Sequence, residues 1–157
     1  MKQISVIGSG SCEQTSEEAL LAEEVGRRLA EADVTVVCGG LGGVMEAASR
    51  GAAQAGGTVI GIVPGSSVDD ANPHCTHVVA TGIGYARNLA VVASGEVVIA
   101  VGGEWGTLSE IGHARGTGRT VVALRSWTLK GAGAMESAPG IVHASSPEEA
   151  VRAALEA

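Results

Sequence analysis

Short, continuously apolar runs rich in β-branched residues recur along this chain, separated by glycine-rich turns and stretches of helical periodicity. The runs are Ile4–Ile7, Val34–Cys38, Val59–Val63, His77–Ala80, Val97–Val101 and Val121–Leu124, with a weaker seventh at Ile141–His143. Continuous apolarity, as opposed to strict alternation, marks strands buried on both faces. After the first run, Leu21, Val25 and Leu29 repeat every four residues while Glu23/Arg27 and Glu24/Arg28 face outward as ion pairs. Thr15 with Glu18 predicts a capping box at the start of that helix. Ser146, Pro147 and Glu149 predict the start of the last helix, with cap, first-turn proline and third-position glutamate in sequence. Strand then helix, repeated, restricts the chain to right-handed crossovers and a mainly parallel sheet of about six or seven strands, in a three-layer α/β/α fold.

At 157 residues one domain spanning 1–157 is expected. Two longer segments, Pro64–Thr76 and Arg125–Gly140, read as insertions and not as linkers. Ten Lys and Arg against 17 Asp and Glu give a net charge of −7, with no basic run, so a nucleic-acid partner is not expected. The longest apolar stretch, Leu89–Val101, is broken by Ser94, Gly95 and Glu96, short of the ~20 residues of a spanning helix. With only Ile4–Ile7 as an apolar run at the N-terminus, no secretion signal is read and a cytoplasmic location is expected. Cys12, Cys38 and Cys75 lack C-x-x-C spacing, which argues against a disulfide framework or structural zinc. His74, Cys75 and His77 are too crowded to share one metal with good geometry, so no metal site is expected.

The glycines fall where chemistry could sit. Gly8-Ser9-Gly10-Ser11 follows the first run, Gly39-Gly40-Leu41-Gly42-Gly43 the second, and Gly102-Gly103-Glu104-Trp105-Gly106-Thr107 the fifth. In an open parallel sheet these strand-to-helix turns share the carboxyl edge, where ligands bind at the switch point of strand order. Glycine permits close backbone approach there, and the helix N-termini that follow favour an anion. A phosphorylated small molecule is the natural occupant. The first turn is not a dinucleotide fingerprint, because Glu13 stands at the third glycine and no ribose-binding acid follows the second strand. A phosphate-binding loop ending in lysine is absent, since the only lysines are Lys2 and Lys130.

Three segments together carry a resemblance: Gly39 to Ala52, then Tyr85-Ala86-Arg87-Asn88, then Gly102 to Glu110. In these the chain resembles the LOG-like (Lonely Guy) proteins of the SLOG superfamily, formerly labelled lysine decarboxylase-like, and within them the short subfamily that includes molybdenum-cofactor carrier proteins. The resemblance implies a Rossmann-like nucleotide-binding fold and a homo-oligomer. In the phosphoribohydrolase branch the motif P-G-G-x-G-T-x-x-E binds phosphate and supplies an acidic catalytic residue, completed by an arginine one helix earlier. By position Thr107 and Glu110 fall on that motif and Arg87 on the arginine. The motif's proline is Gly102 here, its second glycine is Glu104, and Asn88 replaces the lysine usual after the arginine. A carboxylate at Glu104, if it faces the ligand, repels phosphate by like charge. Lysine decarboxylation is not supported, since neither lysine sits in a pocket-like context.

The candidate ligand-binding set is therefore Gly8, Ser9, Gly10, Gly39, Gly40, Gly42, Gly43, Met45, Arg87, Asn88, Gly102, Gly103, Trp105, Gly106, Thr107 and Glu110, with Glu110 and Arg87 as catalytic candidates. Each has a plainer reading beside it. Thr107-x-x-Glu110 also fits a capping box. Arg87, on an otherwise apolar helix, either pairs with a carboxylate such as Glu110 or binds an anion. Met45 fits a core position, and Trp105 and Tyr85 fit base stacking or an oligomer contact equally. Three functions follow: a protein that binds a nucleotide or phosphorylated cofactor without turnover, an AMP-type nucleoside monophosphate phosphoribohydrolase, or a carrier of the molybdenum cofactor. None requires a further cofactor.

Overall fold

The computed structural model describes residues 2–131, 133 and 138–157. Its strands are β1 (Gln3–Gly8), β2 (Thr35–Cys38), β3 (Val59–Val63), β4 (His77–Ala80), β5 (Val97–Val101), β6 (Thr120–Leu124) and β7 (Ile141–Ala144). They form one sheet in the order β4-β3-β2-β1-β5-β6-β7, with every pair parallel. The weak seventh run is a full edge strand, in register with β6 from Val121↔Ile141 to Leu124↔Ala144.

Helices α1 (Glu17–Glu31), α2 (Val44–Gln54), α3 (Arg87–Ser94), α4 (Trp105–Gly116) and α5 (Pro147–Glu156) cover both faces, giving a three-layer Rossmann-like α/β/α fold. Val25 and Leu29 of α1, Ala48 and Ala52 of α2 and Val151 of α5 pack on Ile4, Val6, Val36 and Ile99 on one side. Val91 and Val92 of α3 and Ile111 of α4 pack on Ile7, Val37, Val98 and Val121 on the other. Strand order turns back between β1 and β5, and the helices that follow those two strands lie on opposite faces. That divergence opens a gap at the carboxyl edge.

Helix α1 starts differently from the capping box expected at Thr15 and Glu18. A turn closed by Ser16 N–H on the Glu13 carbonyl (3.0 Å) makes Ser16 the cap, and its hydroxyl accepts from Ala19 N–H at 3.2 Å. Glu18 lies instead against Gly102, in space that a side chain there would fill. The expected Glu23/Arg27 pair is likewise replaced: Glu23 binds Arg50 of α2 at 2.7 Å, while Arg27 pairs with Glu24 and Glu31. Helices α1 and α2 cross closely enough for this because a Cβ on Gly26 would come within 2.0 Å of the Ala48 carbonyl oxygen, and one on Gly51 within 1.9 Å of the Glu23 carbonyl oxygen. At α5 the cap is as expected, with Ser146 accepting from Glu149 N–H at 3.2 Å and Pro147 in the first turn.

Both insertions dock on glycine turns. Within Pro64–Thr76, a 3-10 turn at Val68–Asp70 leads to Asn72, whose N–H donates to the Gly40 carbonyl (2.8 Å) and whose amide donates to the Leu41 carbonyl (3.0 Å). In Arg125–Gly140, of which residues 132 and 134–137 lie outside the described residues, Trp127 donates its indole N–H to the Glu104 carbonyl at 3.3 Å.

Candidate functional site

At the switch point the carboxyl ends of β1, β2 and β5 and the starts of α3 and α4 surround a cleft of about 400 Å³. Of the candidate residues, it gathers Gly8, Ser9, Gly10, Gly39, Met45, Arg87, Asn88, Gly106, Thr107 and Glu110. The remaining candidates shape the turns without lining the cleft. Gly43 takes φ +61°, and a Cβ there would sit 2.2 Å from the Ser9 carbonyl oxygen; the next residue's N–H donates to that same oxygen at 2.9 Å. The first and second turns are thereby locked together through backbone. Gly40 packs on Val63, Gly42 approaches the Gly10 carbonyl, and Gly102 and Gly103 accommodate Glu18 and the Thr107 side chain. Trp105 points away, 76% exposed, with its ring centroid 5.2 Å from that of Trp127. Ser11, Leu41, Tyr85 and Glu104 also line the cleft, outside the candidate set. Ser11 and Leu41 lie inside glycine-rich turns, and that adjacency was their only signal.

Arg87 opens α3 and is 7% exposed. Its Nη1 donates to Asn88 Oδ1, so the neighbouring asparagine fastens the guanidinium. Its Nε is buried with no hydrogen-bond partner, and among the described residues no carboxylate lies within ion-pair distance of it. The direct Arg87–Glu110 pair, one of the two alternatives for this arginine, is therefore not formed. Burial lowers the Arg87 pKa, and the nearby Glu110 charge partly offsets this. Gly39 allows the close approach of the arginine, since a Cβ there would meet Nη1 at 2.7 Å and Met45 Sδ at 2.6 Å.

Glu110 is 9% exposed, and burial raises its pKa from 4.5 to about 7 against the opposing pull of Arg87. The capping-box alternative for Thr107 and Glu110 does not hold, because α4 begins at Trp105 and its cap position is Glu104, with no side-chain cap. Thr107 therefore lies inside the first turn and Glu110 a full turn further on. The cleft thus places a buried cation that has no ion-pair partner among the described residues beside a carboxyl whose burial raises its pKa to about 7.

Glu104 is held at the lip. Its Oε1 accepts the hydroxyls of Ser9 (3.1 Å) and Ser11 (3.0 Å), tying the turn after β5 to the turn after β1. Beneath the second turn, Cys38 and Cys75 converge on the Ser49 hydroxyl at 3.3 and 3.9 Å, and both are free. Hydrogen bonding with Cys75, Ser49 and the Gly40 N–H lowers the pKa of the Cys38 thiol despite its burial. Among the described residues no group of three His, Cys, Asp or Glu side chains could hold a metal ion, and no helix is long and apolar enough to cross a membrane.

A parallel sheet with one reversal of strand order and a small-molecule cleft at that reversal defines a Rossmann-like α/β protein. Within that class, the chain belongs to the SLOG cluster4 family, whose sequence model matches residues 1–151. An uncharacterized protein of Archaeoglobus fulgidus is 42% identical over 125 residues, 80% of this chain and 81% of its own. A molybdenum cofactor binding protein from the phototrophic bacterium Rippkaea orientalis is similar in structure, with TM-score 0.84 and 32% identity over 99% of this chain and 96% of its own. The molybdenum cofactor carrier protein of Chlamydomonas reinhardtii superposes with TM-score 0.83 and 26% identity, again over 99% and 96%.

Proposed function

We propose that this chain binds a small phosphorylated cofactor in the switch-point cleft without turning it over, and that the ligand is of the molybdenum-cofactor class, a pterin carrying a phosphate. The observation that supports this most is Arg87, 7% exposed with a buried Nε that has no hydrogen-bond partner among the described residues. An uncompensated buried cation costs several kcal/mol, and a phosphate that meets a guanidinium with two parallel hydrogen bonds removes that cost. A volume of about 400 Å³ falls within the range of small-molecule sites. Similarity to proteins that bind or carry the molybdenum cofactor, across 99% of this chain, supports the same ligand class. The protein works in the cytoplasm as a homo-oligomer, in keeping with exposed Ile83, Tyr85, Leu89 and Trp105 at and near α3 and α4.

The test is expression in a host that makes the cofactor, followed by anaerobic purification and measurement of bound molybdenum and pterin fluorescence. Stoichiometric cofactor in the wild-type protein, lost in Arg87→Met, is the expected result; its absence from wild-type protein overturns the reading.

Hydrolysis of a nucleoside 5′-monophosphate is the second reading, favoured by one observation: Glu110 is held near pH 7, where a general acid or base works best, in the same cleft as Arg87. Release of adenine from AMP, abolished in Glu110→Gln, would put this reading ahead of the first.

A further inference from the structure

We infer that Glu104 is a built-in anion that restricts the cleft to ligands carrying a single phosphoryl group. The inference rests on the reading of this cleft as a phosphate-ligand site. The Ser9 and Ser11 hydroxyls are the side-chain donors that the first glycine turn could offer a phosphate, and both donate to Glu104 Oε1, at 3.1 and 3.0 Å. Each hydroxyl has one proton to donate. The hydroxyls of the first turn are therefore already engaged by a carboxylate of the protein itself, and the charged contact for an incoming phosphate is left to Arg87.

The charges that line the cleft point the same way. Among the described residues Arg87 is the one full cation that lines it, against Glu104 and the partly ionised Glu110. Arg87 can meet one phosphoryl group through paired hydrogen bonds. A second meets no cation among the described lining residues and shares the space with Glu104. A volume of 400 Å³ is on the order of 8 Å across, about one Debye length, so bulk salt screens only part of that repulsion. The second oxygen of Glu104 accepts no hydrogen bond among the described residues and can accept from a donor-rich edge of the ligand, such as a heterocyclic amine.

The experiment is titration calorimetry of the wild-type chain, Glu104→Gln and Glu148→Gln with AMP, ADP and ATP at one ionic strength. Glutamine keeps an oxygen to accept the two serines and removes the charge. Glu148, at the exposed start of α5, removes the same charge away from the cleft. Wild-type protein is expected to bind AMP more tightly than ADP and ATP. Glu104→Gln should improve ADP relative to AMP by about tenfold, the order expected for unit charges about 8 Å apart in a partly screened site. Glu148→Gln should leave that ratio unchanged. ATP binding as tight as AMP in the wild type, or an ADP-to-AMP ratio within twofold of wild type in Glu104→Gln, overturns the inference and leaves the phosphate site standing. If none of the three nucleotides binds, the inference is likewise overturned, and copurified molybdenum cofactor then decides separately whether the proposed function survives.

Discussion

Replacing Glu110 by glutamine should abolish a loss of stability that the wild-type protein suffers as the pH rises. Burial lifts this carboxyl from 4.5 to about 7. Between those values the folded chain holds a proton that the unfolded chain has released, so the stabilising contribution is complete below pH 4.5 and is lost as pH climbs through 7. Each pH unit of that interval is worth about 1.4 kcal/mol, which makes the full loss about 3 kcal/mol. Glutamine is the neutral analogue of the protonated acid and has nothing to release. The two proteins should therefore be about equally stable near pH 4.5, with Glu110→Gln ahead by about 3 kcal/mol at pH 8. Urea unfolding followed by circular dichroism from pH 4.5 to 8 measures this directly. The other titrating groups are common to both chains, so the difference between the curves isolates Glu110. A difference that stays constant over the range would show that Glu110 ionises as an ordinary surface carboxylate and would refute the argument from burial.

Two further outcomes test the packing. Gly26→Ala should lower the melting temperature by roughly 4 to 8 °C, because its methyl would lie 2.0 Å from the Ala48 carbonyl oxygen, and overpacking of this kind costs about 2 kcal/mol even after the gain in helix propensity; an unchanged melting temperature would mean that α1 and α2 can separate freely. Ser146→Ala should cost about 1 kcal/mol in urea unfolding through loss of the α5 cap, whereas Thr15→Ala should cost almost nothing, since Ser16 caps α1.

Strand and helix alternation, the parallel sheet and the three glycine turns were legible in the chain itself, because burial on both faces leaves a local signature in continuous runs such as Val97–Val101. Arg87, Thr107 and Glu110 were legible for a different reason, their fixed offsets from glycines in a recognisable motif. What those residues do to one another was not legible. Arg87 and Glu110 are 23 positions apart, and only the folded cleft decides that both are buried, that no direct ion pair forms between them, and that Nε has no partner among the described residues. Likewise Glu104 stood out in the sequence only as a misfit in a phosphate motif, and the meeting of β1 with β5 turns it into the acceptor for Ser9 and Ser11. The same limit explains the two local errors at α1. A turn closing on Ser16 moved the cap by one residue, and the approach of α2 drew Glu23 to Arg50. Periodicity and turn chemistry act between near neighbours in the chain, so sequence determines them. Ionisation and hydrogen-bond partners depend on what the rest of the fold brings alongside, so only the tertiary structure decides them.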